Sequence, residues 1–315
     1  MKKLFPIILV LLLTLAACSD DTSSNDDSTI TVYTTVFPLT SFAEQIGGDT
    51  VEVESIYPTG ADMHSYEPTQ KDMMSFSDGD LFLTTSNALD PVAKNITETI
   101  QDDTVIVETA ADIDTEAGHE HAEDHEEDDE SHEEHDHDHD HGGMDPHVWL
   151  DPAHAADMAE MVKDALVEQN PEDEAMYSEN YDALIQDIEQ LDQQLTDITQ
   201  DPVNMDVYIS HESLGYLAQK YGFHQVGING LSNQEPSQQE LTEIIDSIEE
   251  QNIPYILYEP NVTSTVTEVI QKETDTEPLY FNNLESLAKD DPEDATYQSM
   301  MEKNIETLDQ ALNNK

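Results

Sequence analysis

Arginine is absent from this chain and lysine is scarce: ten basic residues, all lysine, face 71 Asp and Glu, for a formal net charge of −61. That balance excludes nucleic acid as a partner, because phosphate contacts need cations. It also argues against a phosphate- or carboxylate-binding pocket, where an arginine fork is expected. Cysteine occurs once, at Cys18, which leaves no pair for a disulfide, a dithiol couple or a thiolate zinc centre. Tryptophan also occurs once, at Trp149. The apolar run from Leu4 to Leu13 is too short to span a membrane stably.

What the chain has in excess is histidine set among acids. Eight histidines (His119, His121, His125, His132, His135, His137, His139 and His141) fall within 23 residues. Such a tract has almost no apolar side chains to offset its ordering entropy, so residues 114–143 are expected to form a solvated, unordered loop. Solubility needs no imidazole, whereas imidazole is the commonest metal ligand, so the tract reads as a weak metal-binding loop. It supplies 16 of the acids, between Asp112 and Asp140, and the rest of the chain is therefore acidic as well. Screening by salt makes such a surface tolerable.

The start reads as an address. Met1-Lys2-Lys3, the apolar run and Leu15-Ala16-Ala17-Cys18 form a bacterial secretion signal over 1–17 that ends in a lipoprotein cleavage box. Cys18 is then the lipidated first residue of the mature protein, and 18–29, rich in Ser, Asp, Thr and Asn, is a flexible tether.

From residue 30 onward, strand and helix patterns alternate. Strands are expected at Ile30–Val36, Val51–Tyr57, Asp80–Thr84 and Thr104–Val107, with helices at Pro38–Ile46, Thr69–Phe76 and Ala93–Ile100. The pattern returns with strands at Val207–Ser210, His224–Ile228, Tyr255–Tyr258 and Leu279–Phe281, and the capping box Ser237-Gln238-Gln239-Glu240 opens a helix among them. This is an α/β chain of two lobes, each a mostly parallel sheet with flanking helices. The lobes are expected over 30–170 and 201–315, with one helix over 171–200 between them. Tyr177, Tyr181, Leu184, Ile188, Leu191, Leu195 and Ile198 give that helix one apolar stripe, about 40 Å long if fully formed. A coiled-coil dimer is the competing use of the stripe. A backbone helix packed along both lobes is preferred, because the flanking positions are nearly all acidic or neutral. A monomer is expected.

Five histidines remain outside the tract. His64 lies in a Gly/Pro loop after a strand, His147 just before a helix start capped by Asp151, and His211 where a strand ends. Ligands of open parallel sheets bind beyond the carboxyl ends of strands, so His64 and His211 sit where a site is expected. With His147 they form the candidate metal set. His154, inside a helix, and His224, at a strand start, read as structural.

Taken in order, the cleavage box, Gly60-Ala61-Asp62-Met63-His64 with Tyr66-Glu67-Pro68, the histidine tract, Asp145-Pro146-His147-Val148-Trp149-Leu150-Asp151-Pro152, and Ser210-His211 with Leu214-Gly215-Tyr216 resemble the zinc-binding solute-binding lipoproteins of bacterial ABC importers. The resemblance implies two Rossmann-like lobes joined by one long rigid helix, with one metal ion in the cleft between them. It implies ligand roles for His64, His147 and His211, and a cognate permease and ATPase as partners. The family's fourth ligand, where present, is a carboxylate near the last strand, matched here by Glu285. Glu259, in Tyr258-Glu259-Pro260, is the rival, and is otherwise expected to stand behind a ligand.

Three neutral imidazoles with at most one carboxylate suit tetrahedral Zn²⁺. The manganese-binding relatives carry a carboxylate where this chain has His211, so Mn²⁺ is less expected. Copper and nickel also accept histidine. Two other functions share these features: a surface zinc buffer or adhesin, and a secreted zinc hydrolase. The hydrolase lacks a His-Glu-x-x-His motif, and its candidate base, Glu212, is expected in the first turn of a helix as a dipole partner. The expectation is a binding protein, with no enzyme activity.

Overall fold

The computed structural model describes residues 29–100, 104–113, 144–261 and 265–314. The secretion signal, Cys18 and the tether up to residue 28 lie outside the described residues, as do all eight tract histidines.

The first lobe runs β1 (Ile30–Thr34), α1 (Phe37–Gly47), β2 (Val51–Ser55), α2 (Gln70–Phe76), β3 (Leu81–Thr84), α3 (Pro91–Thr97) and β4 (Val105–Glu108). Its strands pair in the order β2-β1-β3-β4, all parallel. Every residue of β3 is buried, as expected of a central parallel strand covered on both faces, while β4 at the edge is only partly covered. Two of its helix starts carry side-chain caps. Thr69 and Asp72 form a reciprocal capping box on α2, and Asp90 caps α3 ahead of Pro91.

A 3₁₀ turn at Val148–Leu150 leads into α4 (Pro152–Gln169), capped by the Asp151 side chain as its Asp-Pro sequence indicates. Then follows the long helix α5 (Glu174–Thr199). Tyr177, Leu184, Ile188, Leu191 and Leu195 of its stripe are buried within the chain itself, against α1, α4 and the helix Tyr297–Asn313. The stripe is thus consumed inside one molecule.

The second lobe repeats the first: β5 (Asp206–His211), α6 (Gly215–Tyr221), β6 (His224–Asn229), α7 (Gln238–Gln251), β7 (Tyr255–Tyr258), α8 (Thr265–Glu273) and β8 (Glu277–Tyr280). Strand order is β6-β5-β7-β8, again parallel and in the same pattern. Ser237 and Glu240 form the expected capping box on α7. The last helix, α9 (Tyr297–Asn313), reaches back to the first lobe. The Tyr297 hydroxyl donates to the Trp149 carbonyl at 2.8 Å, its backbone N–H to Ser41 Oγ at 2.9 Å, and Gln298 pairs with Gln45. One apolar core therefore runs from Ile30 to Leu312. A smaller cluster around Tyr208, Ile248 and Ile256 sits within the second lobe.

Helix α6 starts at Gly215, three residues after Glu212, which corrects the placement of Glu212 in a first helical turn. The connection is held out of helical geometry by side chains: Ser213 Oγ donates to Glu259 at 2.8 Å and the Leu214 N–H donates to Gln225. The Glu212 side chain covers Gly227, where any Cβ would collide with it.

Candidate metal centre

His64 is placed by the loop between β2 and α2. Gly60, at φ 83°, takes a left-handed turn that other residues adopt at a cost. Asp62 Oδ1 then accepts the His64 backbone N–H at 2.8 Å, which fixes the next turn. The loop is stitched to the far end of the chain. Gly60 N–H donates to the Leu287 carbonyl at 2.7 Å, Ser286 Oγ donates to the Ala61 carbonyl at 2.7 Å, and Met63 N–H donates to Glu285 Oε2 at 3.0 Å.

His147 repeats the device. Asp145 Oδ1 accepts its backbone N–H at 2.9 Å, but here the same oxygen also meets ring Nδ1 at 2.8 Å. That contact orients the imidazole with Nε2 turned to Glu285 Oε1, 3.3 Å away. Trp149 locks the segment from the other side, donating Nε1–H to the Asn283 carbonyl at 2.7 Å.

His211 ends the central strand β5. Its Nδ1 lies 3.3 Å from Glu259, whose carboxylate also accepts from Ser210 and Ser213. Its Nε2 meets the Leu231 carbonyl at 2.9 Å.

Glu285 is fully buried. The turn that aims it inward contains Leu284 at φ 63°, an uncommon conformation for a branched side chain. Asn282 Oδ1 and Asn283 Oδ1 hold that turn by accepting the N–H groups of Leu284 and Glu285.

These elements bring His64, His147, His211 and Glu285 into one place. The three imidazole centroids lie 5.0, 5.3 and 5.9 Å apart, and one ring nitrogen from each falls within 4.8 Å of the others. A second, overlapping group within the same limit is Asp62, His64 and Glu285. His147 and His211 are sealed from solvent, while the His64 side chain keeps 15% exposure at the mouth. Nε2 of His64 is buried and makes no hydrogen bond; Glu285 Oε1 is its nearest anion, at 3.4 Å. A buried imidazole nitrogen left without a partner is costly unless something else takes its lone pair.

The electrostatics match a cation site. Burial pushes the His147 ring down, but Asp145 and Glu285 outweigh it and raise its pKa to about 10. His211 is likewise raised by Glu259 against the effect of burial. Burial pushes the Glu285 carboxyl up, yet contacts with His147 and His64 hold it well below the usual carboxylate range.

Glu259 sits behind His211, bonded to its ring and to two serines, with no contact to the other imidazoles among its hydrogen bonds. His154 lies against Tyr216 and Asp151, and His224 pairs with Asp206 at the surface; both stand apart from the cluster. Two carboxylates not singled out from the sequence, Asp62 and Asp145, belong to the site. Their one local signal is a shared Asp-x-His spacing.

Comparison with known proteins points to zinc uptake. The sequence profile described as "Zinc-uptake complex component A periplasmic" (ZnuA) matches residues 32–311. The high-affinity zinc uptake system protein ZnuA of Bacillus subtilis is 31% identical over 284 residues, covering 89% of this chain and 87% of that protein. The zinc-binding lipoprotein AdcA of Streptococcus pneumoniae is 30% identical over 294 residues, 90% of this chain; the chain spans only 56% of that relative's length. Among solved structures, the Zn(II)-bound ZnuA-like domain of that AdcA superposes with a TM-score of 0.73 at 27% identity, covering 91% of this chain and all of that domain (100%). The laminin-binding protein Lmb of Streptococcus agalactiae, described as bifunctional with adhesin and metal transporting activity, superposes at 0.75 with 26% identity, covering 90% and 100%. With its profile match running through both lobes, the chain belongs to the ZnuA family of zinc-uptake components.

Proposed function

We propose that this protein is the extracytoplasmic zinc-binding component of an ABC importer, which captures Zn²⁺ between its lobes and hands it to a membrane permease driven by an ATPase. One observation carries the reading: three imidazole nitrogens from separate elements converge within 4.8 Å beside the fully buried Glu285. Nε2 of His64, Nε2 of His147 and one nitrogen of His211 are the ligands, with Glu285 Oε1 as the fourth. Three nitrogens and one oxygen satisfy tetrahedral Zn²⁺, and a set so poor in oxygen suits Mn²⁺ less well. Asp145 and Glu259 hold the two buried rings from behind, as metal-ligating histidines require. The zinc-uptake names of the relatives support zinc as cargo.

His64 and His147 come from the segment 30–170 and His211 and Glu285 from 201–315, so the ion is held between lobes that the 171–200 helix spaces. Cys18 carries a lipid that keeps the protein, as a monomer, at the outer face of the membrane; no described helix is long and apolar enough to cross one. The eight tract histidines form a weaker, fast-exchanging reservoir of zinc. Binding rather than hydrolysis is favoured because Glu212, the candidate base, packs over Gly227. Metal analysis of the full chain followed by competition titration against a zinc chelator tests the reading. One tight zinc per molecule, lost in His147→Ala and His211→Ala, is the expected result. Undiminished tight binding in both variants overturns it.

A further inference from the structure

Among the described residues, the part of the centre that keeps solvent exposure is the His64 side chain, at 15%. Beside His64 opens a cleft of ≈ 460 Å³ lined by Gly60, Asp62, Tyr66, Glu67, Asn233 and Asn261. The His147 and His211 rings are closed to solvent, whereas Asp62 lines this cleft and His64, two residues on, keeps partial exposure, so an ion entering from here reaches Asp62 before the buried rings. The two Asp-x-His turns differ in one respect that bears on this. Asp145 spends its Oδ1 on the ring of His147, whereas Asp62 makes no hydrogen bond to the His64 ring and lines the cleft instead. Asp62 Oδ2 takes only the Ser65 hydroxyl at 3.1 Å and, from the other lobe, Asn233 Nδ2 at 3.2 Å. Two polar atoms here have no partner: Nε2 of His64, and Oδ1 of Asn233. A ligand atom of Asp62 lies within 4.8 Å of one on His64 and one on Glu285.

We propose that Asp62, His64 and Glu285 form a transit position for Zn²⁺, distinct from the resting position but sharing two of its ligands. This inference rests on the zinc-binding reading above. A hydrated dication must shed waters to enter a site closed on the His147 and His211 side. Asp62 replaces some of them at the mouth while His64 and Glu285 take hold. The ion then exchanges the Asp62 oxygen for the nitrogens of His147 and His211. Asp62 contacts the ion only on the way, so it lowers the barrier in both directions without holding the bound state.

Stopped-flow zinc binding and chelator-driven release on the full chain test this with Asp62→Asn. The variant keeps an Oδ1 to accept the His64 N–H, and a flip of the Asn233 amide, which now donates to Asp62 Oδ2, lets Asn233 Oδ1 accept from the new amide, so the turn survives while the charge is lost. Association and dissociation rates are both expected to fall about tenfold, roughly 1.4 kcal/mol of barrier, with the equilibrium constant changed less than about twofold. Glu67→Gln, which removes a charge lining the same cleft but outside the group, is expected to leave both rates within about twofold, in low and high salt alike. Wild-type rates in Asp62→Asn overturn the proposal. Equal slowing in Glu67→Gln that vanishes in salt also overturns it, by assigning the effect to the general field. A loss of affinity with unchanged association makes Asp62 a resident ligand or a loop support, and overturns it too. Failure of the underlying reading is separately visible, because the wild-type chain then shows no tight zinc at all.

Discussion

Nε2 of His211 lies 2.9 Å from the carbonyl oxygen of Leu231, while Nδ1 of the same ring lies 3.3 Å from Glu259. Both nitrogens of one buried imidazole face acceptors, an arrangement that favours the protonated ring, and Glu259 raises its pKa against the effect of burial. Zinc bound at this Nε2 would displace a proton and the Leu231 carbonyl together.

Protons and zinc compete at these rings. The raised His147 pKa contributes stability to the metal-free protein that is complete below about 6.5 and is lost as pH climbs through about 10. Zinc stabilisation runs in the opposite sense, because the nitrogens must give up their protons to bind it. The zinc-dependent rise in melting temperature is expected to grow from pH 6 to pH 9, and calorimetry in buffers of differing ionisation heat is expected to show net proton release. A rise independent of pH counts against ligation by His147 and His211.

The carboxylates can be separated by role. Glu259→Gln and Asp145→Asn remove the charge that holds a ring in place while leaving all three imidazoles, and each is expected to weaken zinc by about 10- to 100-fold. Glu285→Ala removes a ligand that water can replace, so its loss is expected to be smaller than that of His64→Ala, His147→Ala or His211→Ala. Competition titration ranks all six, and a histidine variant milder than Glu285→Ala removes that histidine from the set.

Tyr297→Phe keeps the ring, which packs edge-on against Phe42 with centroids 5.1 Å apart, and deletes only the hydroxyl bonded to the Trp149 carbonyl. Leaving that buried carbonyl without its donor is expected to cost about 1–2 kcal/mol in urea unfolding, with zinc affinity little changed. A large loss of affinity at wild-type stability contradicts this assignment.

Deleting His119 to His141 is expected to lower the total zinc bound per molecule while leaving tight-site affinity within about threefold, because the proposed tight site is complete without any tract histidine. Equilibrium dialysis at two zinc concentrations checks both halves. A large loss at the tight site assigns the tract to the centre itself.

Much of this molecule was legible in local sequence. The Asp151-Pro152 helix start, the Ser237–Glu240 box and the stripe on α5 are contiguous patterns whose physics is complete within a few residues. Strand ends were less so: β2 stops at Ser55 and β8 at Tyr280, because pairing with a neighbour, set elsewhere in the chain, decides where a ladder ends. His64, His147 and His211 stood out because histidine is rare outside the tract. Glu285 could be found only by resemblance. Its inward aim depends on the Leu284 turn and on two asparagine side chains, and a glutamate in a chain with 71 acids carries no signal of its own. Asp62 and Asp145 were hidden by the same abundance.

The return of α9 to the first lobe bears on when this chain can fold. Tyr297 and Gln298 meet Ser41 and Gln45 across more than 250 residues of intervening sequence, with separations of 256 and 253. The core that begins at Ile30 includes Leu308 and Leu312, so the first lobe lacks part of its interior until the last helix has been made. Contacts so distant in sequence close late, after the loop entropy between them has been overcome. During synthesis the amino-terminal half is thus held short of its final packing. Any step that requires an unfolded chain therefore has until α9 is made to act on it.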